Sequence, residues 1–161
     1  MVQDIVRELG YLTLGSRLKR IGERLQGQAQ LVLEDSGISM PSSHFPVLAA
    51  LDRLGPLSVG ALAEAIGISQ PAVTRMLDKL ESEGLVKSNL PARDRRVRPV
   101  ALTKTGAKLI LRAKESVWPK IEAAVAEACA GAAGPLLAQL TALEAALAAM
   151  PLNLRVPGVR S

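Results

Sequence analysis

Cysteine, histidine and aromatic side chains are nearly missing from this 161-residue sequence, which holds one Cys, one His and one each of Trp, Tyr and Phe. A single Cys129 excludes an internal disulfide framework, and with the lone His44 it falls short of a zinc ligand set. There is no paired nucleophile and base and no glycine-rich phosphate loop, so enzymatic classes lose their basis in the sequence. No run of about eighteen apolar residues occurs, which leaves no candidate membrane span. Asp4 and Glu8 interrupt the opening MVQDIVRELG, where a signal peptide carries an unbroken apolar stretch. The expectation is a soluble, cytoplasmic, non-enzymatic protein that needs no cofactor and no metal.

What the chain does have is positive charge. Twenty Lys and Arg against fifteen Asp and Glu give a net charge of +5 and a pI near 9.8, which favours acidic partners such as nucleic acid. The excess is concentrated: residues 69–105 carry eight basic and four acidic side chains, and four arginines crowd into Arg93–Arg98. The length suits one domain with a core of its own.

Apolar periodicity predicts a mainly α chain. Residues 3–33 read as one amphipathic helix through Leu14, Leu18, Ile21, Leu25 and Val32, ending near Gly37. A second helix opens at Pro41 and Ser42, with Val47, Leu48, Leu51 and Leu54 as its stripe, and closes at Gly55. Ser58 caps a third with Val59, Leu62, Ala63 and Ile66 inward; Ser69 caps a fourth with Pro71 in its first turn and Val73, Leu77 and Leu80 inward. LVKSN and VRPVAL are short and β-branched, which predicts a two-stranded hairpin with a basic tip. Thr103 caps a long helix that Pro119 should kink or split, and Leu136, Leu140, Leu143 and Leu147 mark a last one.

Two helices joined tightly need a small residue where they approach, a glycine able to take positive φ in the turn, and a branched residue bridging both. Ala63, Gly67 and Val73 stand at those positions, the spacing of a helix-turn-helix, and the hairpin after it makes the winged form. Outside the buried stripe the fourth helix leaves Gln70, Pro71, Thr74, Arg75, Asp78 and Lys79. Arginine can donate twice to guanine and glutamine twice to adenine, so Arg75 and Gln70 are the expected base contacts. Ser69, Thr74 and Lys79 are expected at phosphates, although Lys79 has Asp78 and Glu83 beside it and can equally be a solvated surface charge.

LA-x-x-x-GISQPAVTR (Leu62 to Arg75), L-x-x-x-GLV (Leu80 to Val86), DRR (Asp94 to Arg96) and LT-x-x-G (Leu102 to Gly106) together resemble the MarR family of bacterial winged helix-turn-helix transcription regulators. The match is close over residues 41–108. It implies a single domain over 1–161, in which 1–36 and 104–150 supply dimerisation helices and 41–103 the winged helix-turn-helix. It further implies a homodimer on a pseudo-palindromic operator, with one recognition helix per half-site. In the family the wing enters the minor groove; the inserted arginine would be Arg96, aimed by Asp94, with Arg93, Arg95 and Arg98 along the backbone. GSRLKRIGERLQ resembles the regulator part of MarR-acetyltransferase fusions, but the chain stops short of such a domain and no acetyltransferase activity is carried over.

Many relatives release DNA when a small phenolic or other aromatic acid binds between the platform and the winged domain, which implies an effector-responsive repressor. His44 and Phe45 fall where that pocket would lie, although a histidine at a helix start is more often a surface or capping residue. Peroxide-sensing relatives use a first-helix cysteine, which is missing here; Cys129 reads as an apolar packing residue. The alternative is a constitutive or architectural DNA-binding protein with no small-molecule effector.

Overall fold

The amphipathic N-terminal segment is not one helix. The computed structural model, which describes residues 3–88, 99–150 and 155, breaks it at Gly10, whose φ of 55° cannot continue a right-handed helix. A short α1 (Ile5–Glu8), capped by the Asp4 carboxylate on the Arg7 N–H, is followed by a 3₁₀ turn (Gly10–Thr13) and then by α2 (Leu14–Asp35). Arg20 ties α1 back onto α2 by donating two 3.0 Å hydrogen bonds to Asp4. These bonds, above all other influences, hold the Asp4 carboxyl below its ordinary range.

A 3₁₀ turn (Ser42–His44) leads into α3 (Phe45–Leu54). Val47, Leu48 and Leu51 are buried as expected, but Leu54 is 62% exposed. It is the last residue of α3, and Gly55 turns the chain directly after it. α4 (Val59–Ile66) begins at Ser58, whose hydroxyl accepts the Ala61 N–H at 3.2 Å. α5 (Gln70–Ser82) begins at Ser69, where the expected side-chain cap is not made; the Ser69 carbonyl instead accepts the Val73 N–H in the regular helical manner.

Gly84 closes α5, and β1 (Val86–Ser88) pairs antiparallel with β2 (Val100–Leu102) in the register Val86 to Leu102 and Ser88 to Val100. The other side of β2 is bridged by Leu57, which exchanges hydrogen bonds of 3.1 and 2.8 Å with Val100. Pro99, with no N–H to give, stands just before β2 and outside this ladder. Thr103 caps α6 (Lys104–Arg112) by accepting the Gly106 N–H at 3.0 Å.

Pro119 does split the helical ladder, through a wider turn placed ahead of it. A π turn (Ala113–Val117) separates α6 from α7 (Trp118–Cys129). The Trp118 N–H reaches back five residues to the Ala113 carbonyl, just ahead of Pro119, which has no N–H to continue the ladder. The chain divides into two compact units, Met1–Ile121 and Glu122–Ser161. In the first, the core gathers around Leu33, Leu48, Leu62, Leu77, Leu80 and Ile110, each at most 1% exposed. In the second, α8 (Leu136–Ala149) has no buried residue. Leu136 and Leu147 of the expected stripe are exposed, and Leu140 and Leu143 are half-buried.

Candidate nucleic-acid interface

The helix-turn-helix is built as its three key positions require. Ala63 is 8% exposed beneath α5, Val73 is fully buried, and Gly67 adopts φ 70° and ψ 30° in the turn. The Ile68 N–H donates back to the Ala63 carbonyl at 3.2 Å, closing α4 before α5 begins. Val73, Leu77 and Leu80 are all at 0% exposure, so α5 is held along its whole inner face. Its opposite face presents Gln70, Pro71, Arg75, Asp78 and Lys79 to solvent, with Thr74 half-buried among them.

Geometry separates the roles these side chains can play. The Thr74 hydroxyl donates to the Gln70 carbonyl at 3.0 Å, so its one proton is engaged within the helix and it cannot donate to a phosphate in this rotamer. It offers a methyl group and an acceptor oxygen. Lys79 pairs with Glu83 one turn along at 3.1 Å, which makes it the balanced surface charge rather than the isolated cation. Ser69 is exposed at the N-terminus of α5, where its hydroxyl makes no capping bond and the helix dipole favours an anion. Arg75 extends from the first turns of α5 into solvent. Gln70 lies beside Gly60, its Nε2 3.6 Å from where a Cβ at that glycine would stand.

Gln70, Pro71, Thr74 and Arg75 meet Val59 of α4 around an open recess of about 440 Å³. Val59 belongs to the core, 3% exposed. It also forms part of this recess, because α4 starts beside the start of α5. The arginines of the wing, Arg93, Arg95, Arg96 and Arg98, and with them Asp94, lie outside the described residues. The base of the wing is firmly attached: Glu81 accepts the Ser88 N–H at 3.3 Å, tying the end of α5 to β1. Nothing in the charge pattern singled out Glu81, since its acceptor role depends on which backbone group it meets.

The two residues expected at an effector pocket are separated. Phe45 lines an apolar cavity of about 330 Å³ with Ala29, Leu33, Ser42, Pro46, Ala49, Trp118 and Ile121. Its ring meets Trp118 edge to face, centroids 5.8 Å apart and planes at 79°. His44 is not part of that lining. Its Nδ1 is buried without a hydrogen-bond partner among the described residues, and desolvation lowers its pKa, with Glu83 opposing and Lys79 reinforcing the shift. Cys129 is half-buried beside a cleft of about 490 Å³ lined also by Val125, Leu136 and Leu137.

Residues 40–97 match the model of the MarR family. Solved structures of regulators agree over most of their length. A MarR family transcriptional regulator from Silicibacter pomeroyi is 28% identical, with 84% of this chain and 88% of that one covered and a TM-score of 0.58. BpsR from Bordetella bronchiseptica, whose DNA binding is regulated by 6-hydroxynicotinic acid, is 25% identical over 84% and 91%, with a TM-score of 0.59. A mutant of MarR from E. coli in complex with operator DNA is 21% identical over 90% and 99%; its TM-score of 0.69 speaks for the fold. With its helix-turn-helix, its wing strands and its matched segment in agreement, the chain is similar to the MarR family of transcriptional regulators.

Proposed function

We propose that this regulator is a homodimeric repressor that reads a pseudo-palindromic operator with one α5 per half-site and releases it when a small aromatic molecule binds. The observation that carries the reading is α5 itself. It is anchored by three fully buried residues and offers Gln70, Pro71 and Arg75 at its exposed N-terminal end, the part of a recognition helix that meets base edges. Ser69 would hold a phosphate, and Arg96, aimed by Asp94 and flanked by Arg93, Arg95 and Arg98, would enter the minor groove. A single domain over 1–161, with 1–36 and 104–150 as the dimerisation helices, is part of this proposal.

Exposed apolar side chains support the dimer. Ile5, Leu9, Tyr11 and Leu12 are 47–94% exposed in the N-terminal segment, and Leu137 of α8 is 80% exposed, more apolar surface than separate helices in water retain without a partner. The effector reading is supported by the apolar cavity at Phe45 and Trp118, and by the relative whose DNA binding responds to 6-hydroxynicotinic acid. Selection of duplexes from a random-sequence pool, followed by anisotropy titrations at several salt concentrations, tests the reading. Expected are an enriched inverted repeat and a steep loss of affinity with salt, as counterions are released from neutralised phosphates. A pool that stays unenriched would overturn sequence-specific binding; enriched DNA that no aromatic compound displaces would favour a constitutive DNA-binding protein.

A further inference from the structure

We infer that the recess between the starts of α4 and α5 is a receptor for the 5-methyl group of thymine, which makes Val59 and Pro71 specificity-determining residues of the operator half-site. The inference rests on the DNA-binding reading above and deepens it. In the major groove thymine is the one base whose edge presents an apolar group, and cytosine offers only hydrogen at the same carbon. A recognition helix with only polar side chains at its front cannot tell the two by contact with that group. Here an apolar element is built in: Val59, 3% exposed, and the exposed Pro71 line the 440 Å³ recess together with Thr74.

Two further details fit the same ligand. Pro71 has no N–H, so the first turn of α5 lacks one donor that would otherwise favour a polar group at this spot. Thr74 has turned its hydroxyl proton onto the Gln70 carbonyl, leaving a methyl group and an acceptor oxygen as what it can offer. Gln70 and Arg75 form the polar borders of the recess and supply donors suited to adenine and guanine. The lining therefore combines polar donors with apolar groups, a set of side chains that matches a thymine beside a purine.

The test uses duplexes that the full chain selects from a random-sequence pool. Each thymine of the selected site is replaced singly by deoxyuridine, which removes the methyl group and leaves every hydrogen-bonding atom in place. One thymine in each half-site should be methyl-sensitive, losing about fourfold in affinity on replacement, the worth of one buried methyl group. Pro71→Ala, at an exposed position, and Val59→Thr, of the same shape with a hydroxyl, should each bring the thymine-to-uracil ratio at that position toward one; thermal melting checks that both variants fold. Indifference to uracil at every position would overturn the methyl site while leaving DNA binding intact, as would a ratio unchanged in both variants. Failure to enrich any duplex would overturn the DNA-binding reading, and this inference with it.

Discussion

A Cβ placed on Gly106 would lie 2.0 Å from the carbonyl oxygen of Leu85. That oxygen accepts the Thr103 N–H at 3.0 Å, and the Thr103 hydroxyl donates to the Gly84 carbonyl at 2.6 Å while accepting the Gly106 N–H. The start of α6, the end of β2 and the turn after α5 thus meet at one point, where backbone faces backbone and no side chain can yield. Gly106→Ala should therefore lower stability by about 3 kcal/mol, at the upper end of overpacking effects, read as a fall in the urea midpoint. Gly67→Ala is the contrast. No described residue stands within 4 Å of its Cβ, so only the left-handed φ of 70° is penalised, by about 1 kcal/mol.

Arg75 and Lys79 should differ sharply in their effect on DNA affinity. Arg75 is exposed at the front of α5, whereas Lys79 already has Glu83 at 3.1 Å. Arg75→Ala should weaken binding to selected DNA about ten- to a hundredfold, and Arg75→Lys should restore little, because an ammonium cannot make the planar two-bond contact to guanine. Lys79→Ala should change affinity less than about threefold, since removal of a paired surface charge removes little net attraction. Anisotropy titrations at fixed salt decide both; a loss at Lys79 equal to that at Arg75 would place phosphate contact further along α5.

The helix-turn-helix was legible because Ala63, Gly67 and Val73 each answer a local demand at fixed spacing. Short-range chemistry also foretold the caps at Ser58 and Thr103. What escaped the sequence depends on contacts between distant segments. Gly10 lies inside an apolar pattern that runs on past it, so periodicity alone joined α1 to α2. Leu54 has the right spacing for the core but is the last residue of α3, where Gly55 turns the chain and leaves it 62% exposed. The Thr74 hydroxyl donates to the Gln70 carbonyl, and Val59, a core residue as its spacing predicts, also borders the recess because α4 and α5 start side by side; neither contact is written in the periodicity. His44 and Phe45 are neighbours in sequence with different surroundings, which a helix start can produce by rotating one residue by about 100°.

His44 should make stability fall in mild acid. Its buried, unpartnered Nδ1 lowers the folded-state pKa below the ordinary 6.5. In the unfolded chain the imidazole gains a proton as pH falls through 6.5, whereas the folded chain resists until lower pH. The unfolded state then binds more protons, so the contribution is intact above 6.5 and is lost as pH falls from there toward the folded value. Urea midpoints measured between about pH 5 and 7.5 should drop on the acid side, and His44→Gln should flatten that limb. Equal slopes in both proteins would assign the acid sensitivity to other groups.

Trp118 should report directly on the cavity, because it is the only tryptophan of the chain and lines the space beside Phe45. Among the described residues the lining is apolar apart from Ser42, whose hydroxyl already donates to the Gln26 carbonyl at 3.0 Å, so it offers a ligand one acceptor oxygen and no counter-ion. A carboxylate moved there would lose its hydration without a cation to replace it. Neutral phenols should therefore perturb Trp118 emission and bind at least about tenfold more tightly than benzoate at neutral pH, with binding of the acid recovering as pH approaches its own pKa. Ala49→Phe, which fills the cavity, should abolish the fluorescence change and leave the DNA complex insensitive to phenol. If benzoate bound as well as phenol, a cation beyond this lining would have to face the cavity. If phenol released DNA from Ala49→Phe as readily as from the parent protein, the effector would act elsewhere.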